Sequence, residues 1–197
     1  MPFRFFALAI AALFVACSDA PAPQPPAAAP ATSAEVTGTV PPNAIVALIP
    51  AAASVPMPDG PAVMDQYAKQ FVPNVLYVRV GQPVEFRNSE DMPHNVTVKR
   101  RTTGAEVFNV GTEPQQKHVH TFDRVGQFDV VCDIHPGMQA TVIATESPMA
   151  TVAADNGRFS IANVTPGAYK LSVAFEGRSV EQPVEVSAAR VDVTVKR

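Results

Sequence analysis

The stretch "VVCDIHPGMQATV" (Val130–Val142) gathers three different soft donors in one short loop. Cys132 is followed three residues later by His135, and Met138 lies three beyond that. A further imidazole, His94, stands upstream in "NSEDMPHNV" (Asn88–Val96). A thiolate, two imidazoles and a thioether suit a transition metal. Two histidines and a cysteine in a plane, with a long contact to methionine, are the donors of a type 1 copper site. Such a shell is acceptable to both Cu(I) and Cu(II), and it leaves no open position for a substrate. Taken alone, Cys-x2-His is equally compatible with a buried thiol beside a turn histidine. It also fits half of a zinc site, although no second pair of thiolates exists to complete one.

The N-terminus sets the redox context. Arg4 precedes an apolar run, Phe5 to Ala16, too short to span a bilayer but laid out like the core of a signal peptide. We therefore expect residues 1–16 to be a signal peptide. "FVAC" resembles the bacterial lipobox, with Phe14 where leucine is usual, so Cys17 is the expected lipidation site. Residues 17–34 are then a Pro/Ala-rich tether, too poor in large apolar residues to fold alone. The implied address is the bacterial cell envelope, lipid-anchored and facing the periplasm. With Cys17 acylated, Cys132 has no disulfide partner, and a lone thiol in an oxidising compartment must be buried or bound. The formal charge of −3 gives no reason to expect nucleic acid as a partner.

These donors must be positioned by strands. Short runs rich in Val, Phe and Thr, separated by Gly, Pro and Asn, predict an all-β sandwich or barrel. "VLYVRV", "VEF", "HNVTV", "HVHTF", "GQFDVVC" and "QATVIA" read as strands, followed by "GRFSI", "AYKLSVAF", "QPVEV" and "VDVTV". One helix is expected over "VMDQYAKQF" (Val63–Phe71), and the stretch from Lys99 to Lys117 reads as polar and irregular. Side chains alternate across a strand, so Phe128, Val130 and Cys132 share an inner face, as do His94, Val96 and Val98. Cys132 and His94 thus sit at strand ends where they can meet, with His135 and Met138 on the loop beyond. His118 and His120 are expected to be exposed to solvent rather than to bind metal, and Lys99–Arg101 to be a solvated turn. Met92, two residues before His94, is a candidate for the rim of the site.

"CDIHPGM", "NSEDMPHNV", "FDRVGQFDVVC" and "VRVGQPVEFRN" together resemble the cupredoxin family, over roughly Val63 to Thr145. The resemblance implies a Greek-key β-sandwich holding one type 1 copper. It implies His94, Cys132, His135 and Met138 as ligands, and Asn95 as the residue that ties the two ligand segments together. Asp133 departs from the pattern, since Ser or Thr often follows the cysteine. A carboxylate there is expected to lower the potential or alter the local hydrogen bond. The implied function is one-electron transfer with transient redox protein partners, by a monomer that is not an enzyme; copper binding or delivery without a carrier role is the alternative. The flanks resemble something else. "ADNGRFSIANVTPGAYKLSVAFEGRSVEQPVEV" looks like a carboxypeptidase-regulatory-type β-sandwich, a transthyretin-like module lacking its opening strands, and "EVTGTVPPNAIVALIP" (Glu35–Pro50) looks like such an opening. The layout resembles bacterial plastocyanin-like proteins labelled methylamine-utilisation-like. The expected division is 51–147 for the copper domain and 148–197 for the flanking sandwich; 35–50 is expected to join the latter, the alternative being the first strands of the copper domain.

Overall fold

A computed structural model describes residues 33–52 and 54–195. The expected signal peptide, Cys17 and nearly all of the tether lie outside the described residues. Among the described residues every regular element is a strand: β1 (Ala34–Thr39), β2 (Ile45–Pro50), β3 (Ala62–Tyr67), β4 (Gln70–Val72), β5 (Val75–Arg79), β6 (Pro83–Asn88), β7 (His94–Arg100) and β8 (Glu106–Thr112). They continue with β9 (Lys117–Thr121), β10 (Gly126–Val131), β11 (Gln139–Thr145), β12 (Ala150–Val152), β13 (Arg158–Val164), β14 (Gly167–Phe175), β15 (Arg178–Val186) and β16 (Arg190–Thr194).

The strands form two sandwiches. In the central one, the sheet β4-β3-β6-β9 faces the sheet β5-β11-β10-β7-β8. Phe71, Phe86, Phe122, Phe128, Val96, Val98, Val130 and Val142 fill the space between, and Cys132 and Met138 belong to the same buried cluster. In the flanking one, β13-β1-β16 packs on β12-β2-β14-β15 around Val36, Val46, Leu48, Val164, Leu171 and Val186. β1 pairs with β13 and β16, and β2 pairs with β12 and β14, so residues before and after the central sandwich share one core. Two glycines of the flanking motifs permit close approach. A Cβ on Gly38 would lie 2.4 Å from the Val193 carbonyl, and one on Gly157, whose φ is +78°, would lie 2.2 Å from that of Val40.

The sandwiches meet at the pole of the central one away from Cys132. Gln127, at the start of β10, donates its side-chain N–H to the Asn43 carbonyl at 2.6 Å and accepts from Arg101 at 2.8 Å. A cleft of about 1,210 Å³, lined by Pro41, Ile45, Arg100, Arg124 and Phe175, runs alongside that contact. At about 3.3 Å rise per residue, β10 then carries the chain roughly 17 Å from the contact to Cys132.

Three sequence expectations are corrected. Residues 63–71 are not a helix but the hairpin β3–β4, closed by Ala68 and Lys69, both at positive φ (52° and 55°). Two positive-φ residues make the turn that matches strand twist. Burial of Met64, Gln66 and Phe71 against the sheet overrides the helical preference of the local residues. The stretch read as irregular contains β8, an edge strand whose inward face is only Phe108, Val110 and Thr112, too sparse a pattern to stand out. Finally, His118 and His120 face inward and half-buried, their rings 4.8 and 4.7 Å from that of Phe108, while Val119 points outward at 51 % exposure. At an edge strand, an imidazole packed at a tilt against an aromatic ring covers apolar surface that a solvated one would leave open.

Candidate metal centre

The two ligand segments converge because β7 and β10 are hydrogen-bonded neighbours, with Thr97 opposite Val131. His94 opens β7 and is 1 % exposed, and Cys132 follows β10 at 6 %. Past Cys132 the chain turns back at once. The Cys132 N–H donates to the Met138 carbonyl at 3.0 Å and the Met138 N–H donates to the His135 carbonyl at 3.3 Å. Gly137 makes that return at φ +82°, a conformation that suits glycine. Met138, 2 % exposed, then enters the core at the start of β11.

This folding brings His94, Cys132 and His135 together as one candidate metal-binding cluster. Nδ1 of His94 and Nδ1 of His135 are 2.9 Å apart, and each lies 3.8 and 3.7 Å, respectively, from the Cys132 Sγ. A triangle with those sides has its centre about 2.0 Å from every corner. That is the reach of a metal–imidazole bond and a little under the roughly 2.3 Å of a zinc–thiolate bond. Two ring nitrogens and a sulfur converging on one buried point are a donor set that fits a soft cation. His94 is sealed, whereas His135 is half-buried and flanked by Ile134, which is 54 % exposed. Met92 is half-buried beside the first segment.

Polar contacts lock the segments to each other. The Asp133 N–H donates to Asn95 Oδ1 at 2.7 Å, and Asn95 Nδ2 donates to Asp133 Oδ2 at 2.8 Å. Thr97 donates to the same carboxylate oxygen at 2.5 Å, and Asn109 at 3.3 Å. The Thr97 hydroxyl above all, then the Asn95 amide, holds the Asp133 carboxyl below the usual carboxylate range against the cost of desolvation; the Lys99 charge adds to the shift.

Sequence reading missed several supporting residues. Asn88, 1 % exposed, donates to the carbonyls of Met92 and Thr112, both at 2.8 Å, and accepts from the Glu90 N–H at 3.0 Å. Gln66, fully buried on β3, donates to the Arg87 carbonyl and to the Thr112 hydroxyl, both at 3.0 Å. Glu90 Oε2 lies 3.3 Å from His94 Nε2. Asn88 and Glu90 fall inside motifs that resemble the family; Gln66, in the expected helix, and Thr112 come from strands whose neighbours the sequence does not reveal.

The family described as copper binding proteins of the plastocyanin/azurin type matches residues 61–145. Amicyanin from Paracoccus versutus is 35 % identical over 94 residues, which cover 47 % of this chain and 70 % of that protein. Amicyanin from Paracoccus denitrificans is 32 % identical over 92 residues, 46 % of this chain and 70 % of that protein. Among solved structures, the Cu(I) form of an amicyanin variant is 27 % identical, covering 52 % of this chain and 99 % of that one with a TM-score of 0.41. A two-sheet β-sandwich with a thiol and two imidazoles gathered at one pole defines a cupredoxin. The chain belongs to the plastocyanin/azurin family of copper-binding proteins, and its cofactor is copper.

Proposed function

We propose that the protein is a one-electron carrier of the bacterial cell envelope, with copper held by His94, Cys132 and His135 and, as a weak fourth donor, Met138. When bound there, copper supplies a one-electron couple between its two oxidation states. The observation that carries this reading is the closed triangle of His94 Nδ1, Cys132 Sγ and His135 Nδ1, its first two residues buried and the third half-buried. Donors already held in place by a packed sandwich keep the rearrangement on electron transfer small. A full shell offers a substrate no position, which weighs against an enzyme. His135 is the more exposed imidazole, so electrons enter and leave through its edge, beside Ile134 and Pro136, in small transient encounters with redox proteins. Asn95 acts as the tie between ligand segments, and Asp133 as a fixed negative charge next to the thiolate that favours Cu(II).

The proposal extends to residues outside the described ones and to the division of the chain. Residues 1–16 are the signal, Cys17 carries lipid, and residues 17–34 tether a monomer that faces the periplasm. Residues 51–147 are the copper domain. Residues 35–50 and 148–197 form a carboxypeptidase-regulatory-like sandwich, a reading supported by the pairing of β1 and β2 with strands after Pro148.

The test is the visible spectrum and midpoint potential of the copper-loaded full chain. An intense blue or green absorption, bleached by ascorbate and restored by oxidant, is expected. A colourless complex, or copper surrendered at once to a weak chelator, would refute the carrier and favour copper delivery.

A further inference from the structure

The β3–β4 turn and the loop before β7 meet at one carboxylate. Glu90 Oε1 accepts the backbone N–H of Lys69 at 2.6 Å, and Oε2 faces Nε2 of His94 at 3.3 Å. The Glu90 side chain is 11 % exposed and that of His94 is fully buried. Glu90 is also anchored at its own backbone, where its N–H donates to Asn88 Oδ1 at 3.0 Å. The same corner is closed by the Ser89 hydroxyl, which donates to Asp65 on β3 at 2.8 Å. Among the described residues, Glu90 is the one polar partner on the Nε2 side of the His94 ring.

We infer that Glu90 is a positioning residue for the copper site: it holds His94 as the Nε2–H tautomer and aims the Nδ1 lone pair at the point shared with Cys132 and His135. This rests on the proposed copper ligation, but its chemistry is already present in the copper-free protein. An ionised carboxylate only accepts hydrogen bonds, so the nitrogen facing it must carry the proton. In the neutral imidazole, the form that can bind a metal, Nδ1 is then bare, and it is the atom 2.9 Å from His135 Nδ1 and 3.8 Å from the sulfur. A carboxylate on the far nitrogen of a metal-binding imidazole fixes the ring and raises its donor strength, and its loss typically costs 10–100-fold in metal affinity. The unusual turn acquires a role as well. Ala68 and Lys69, both at positive φ, present the Lys69 N–H to Glu90 and so fix where the carboxylate stands.

The experiment uses the full chain with Glu90→Gln and Glu90→Asp, and Asp91→Asn as a control for charge at an exposed neighbour. In copper-free protein, nitrogen NMR of the His94 ring reads the tautomer directly, and hydrogen exchange reads the Lys69 amide. Glu90→Gln is expected to mix the tautomers, speed Lys69 exchange and lower Cu(II) affinity by about 10–100-fold. A tenfold loss selective for Cu(II) raises the midpoint potential by about 59 mV. Glu90→Asp keeps the charge but withdraws the oxygens by one methylene, so it is expected to follow Glu90→Gln, while Asp91→Asn stays like wild type. The inference is overturned if His94 keeps one tautomer in Glu90→Gln, or if Glu90→Asp behaves as wild type and so shows that through-space charge suffices. If wild type binds no copper, the proposed function fails, but the tautomer measurement still decides for or against Glu90.

Discussion

Replacing Asn95 by alanine is the sharpest probe of how the two ligand segments are held together. Asn95 is 8 % exposed and its side chain makes four polar contacts: it accepts from the Asp133 N–H and reaches Asp133 Oδ2, the Thr97 hydroxyl and Asn109 Oδ1. Its amide has two protons for three acceptors, so about three bonds are fully made. At about 0.5–1.5 kcal/mol net each, the sum is about 1.5–4.5 kcal/mol. Asp133 and Asn109 are exposed, so water replaces part of what their side chains lose, and we expect about 2 kcal/mol. Urea unfolding of the copper-free chain, followed by far-ultraviolet circular dichroism, measures this. The cost should shrink by more than half when Asp133→Ala is already present, because the two residues act on one linkage. A loss below about 0.5 kcal/mol, or full additivity with Asp133→Ala, would refute the idea that this pair carries the tie between β7 and the loop after β10.

Cys132→Ser should abolish the intense visible absorption and most copper affinity, because a hydroxyl cannot replace a soft thiolate; a retained charge-transfer band would place the sulfur donor elsewhere. Leu171→Ala, in the flanking core, should cost about 2–5 kcal/mol in urea unfolding. It should leave the copper spectrum unchanged, and a shifted spectrum would mean that the sandwiches are coupled through the Gln127–Asn43 contact. Burial, and secondarily the charge of His118, hold His120 below its ordinary value of about 6.5. The unfolded chain therefore binds the proton more readily, so stability is fully present above about pH 6.5 and declines as pH falls toward the folded value. His120→Phe should flatten that decline between pH 7 and 5, measured as the urea midpoint; an unchanged slope would show that other groups dominate it.

Much of the centre was legible because it is local. Cys132, His135 and Met138 lie in one loop, and strand alternation alone placed Cys132 and His94 on inward faces, where both are buried. The half-buried rings of His118 and His120 were misjudged because their neighbour, Phe108, belongs to a strand whose apolar face is too thin to announce itself. The hairpin β3–β4 was misread for a related reason. Its residues favour a helix taken alone, and what makes them a hairpin is the parallel pairing of β3 with β6 and the burial of Gln66 beneath Thr112.

What the amino-acid sequence determined by itself was the candidate donors, their approximate spacing and the β character of the chain, since these depend on residue type and on period-two alternation. Tertiary structure decided which strands are neighbours. It joined β1 and β2 to strands more than a hundred residues later, brought His94 Nδ1 within 2.9 Å of His135 Nδ1, and set Glu90 between the Lys69 amide and the His94 ring. The reason is that a strand's inward and outward faces are written in its own residues, whereas its partner is chosen by the fit of whole faces across the core, to which every strand of the sheet contributes.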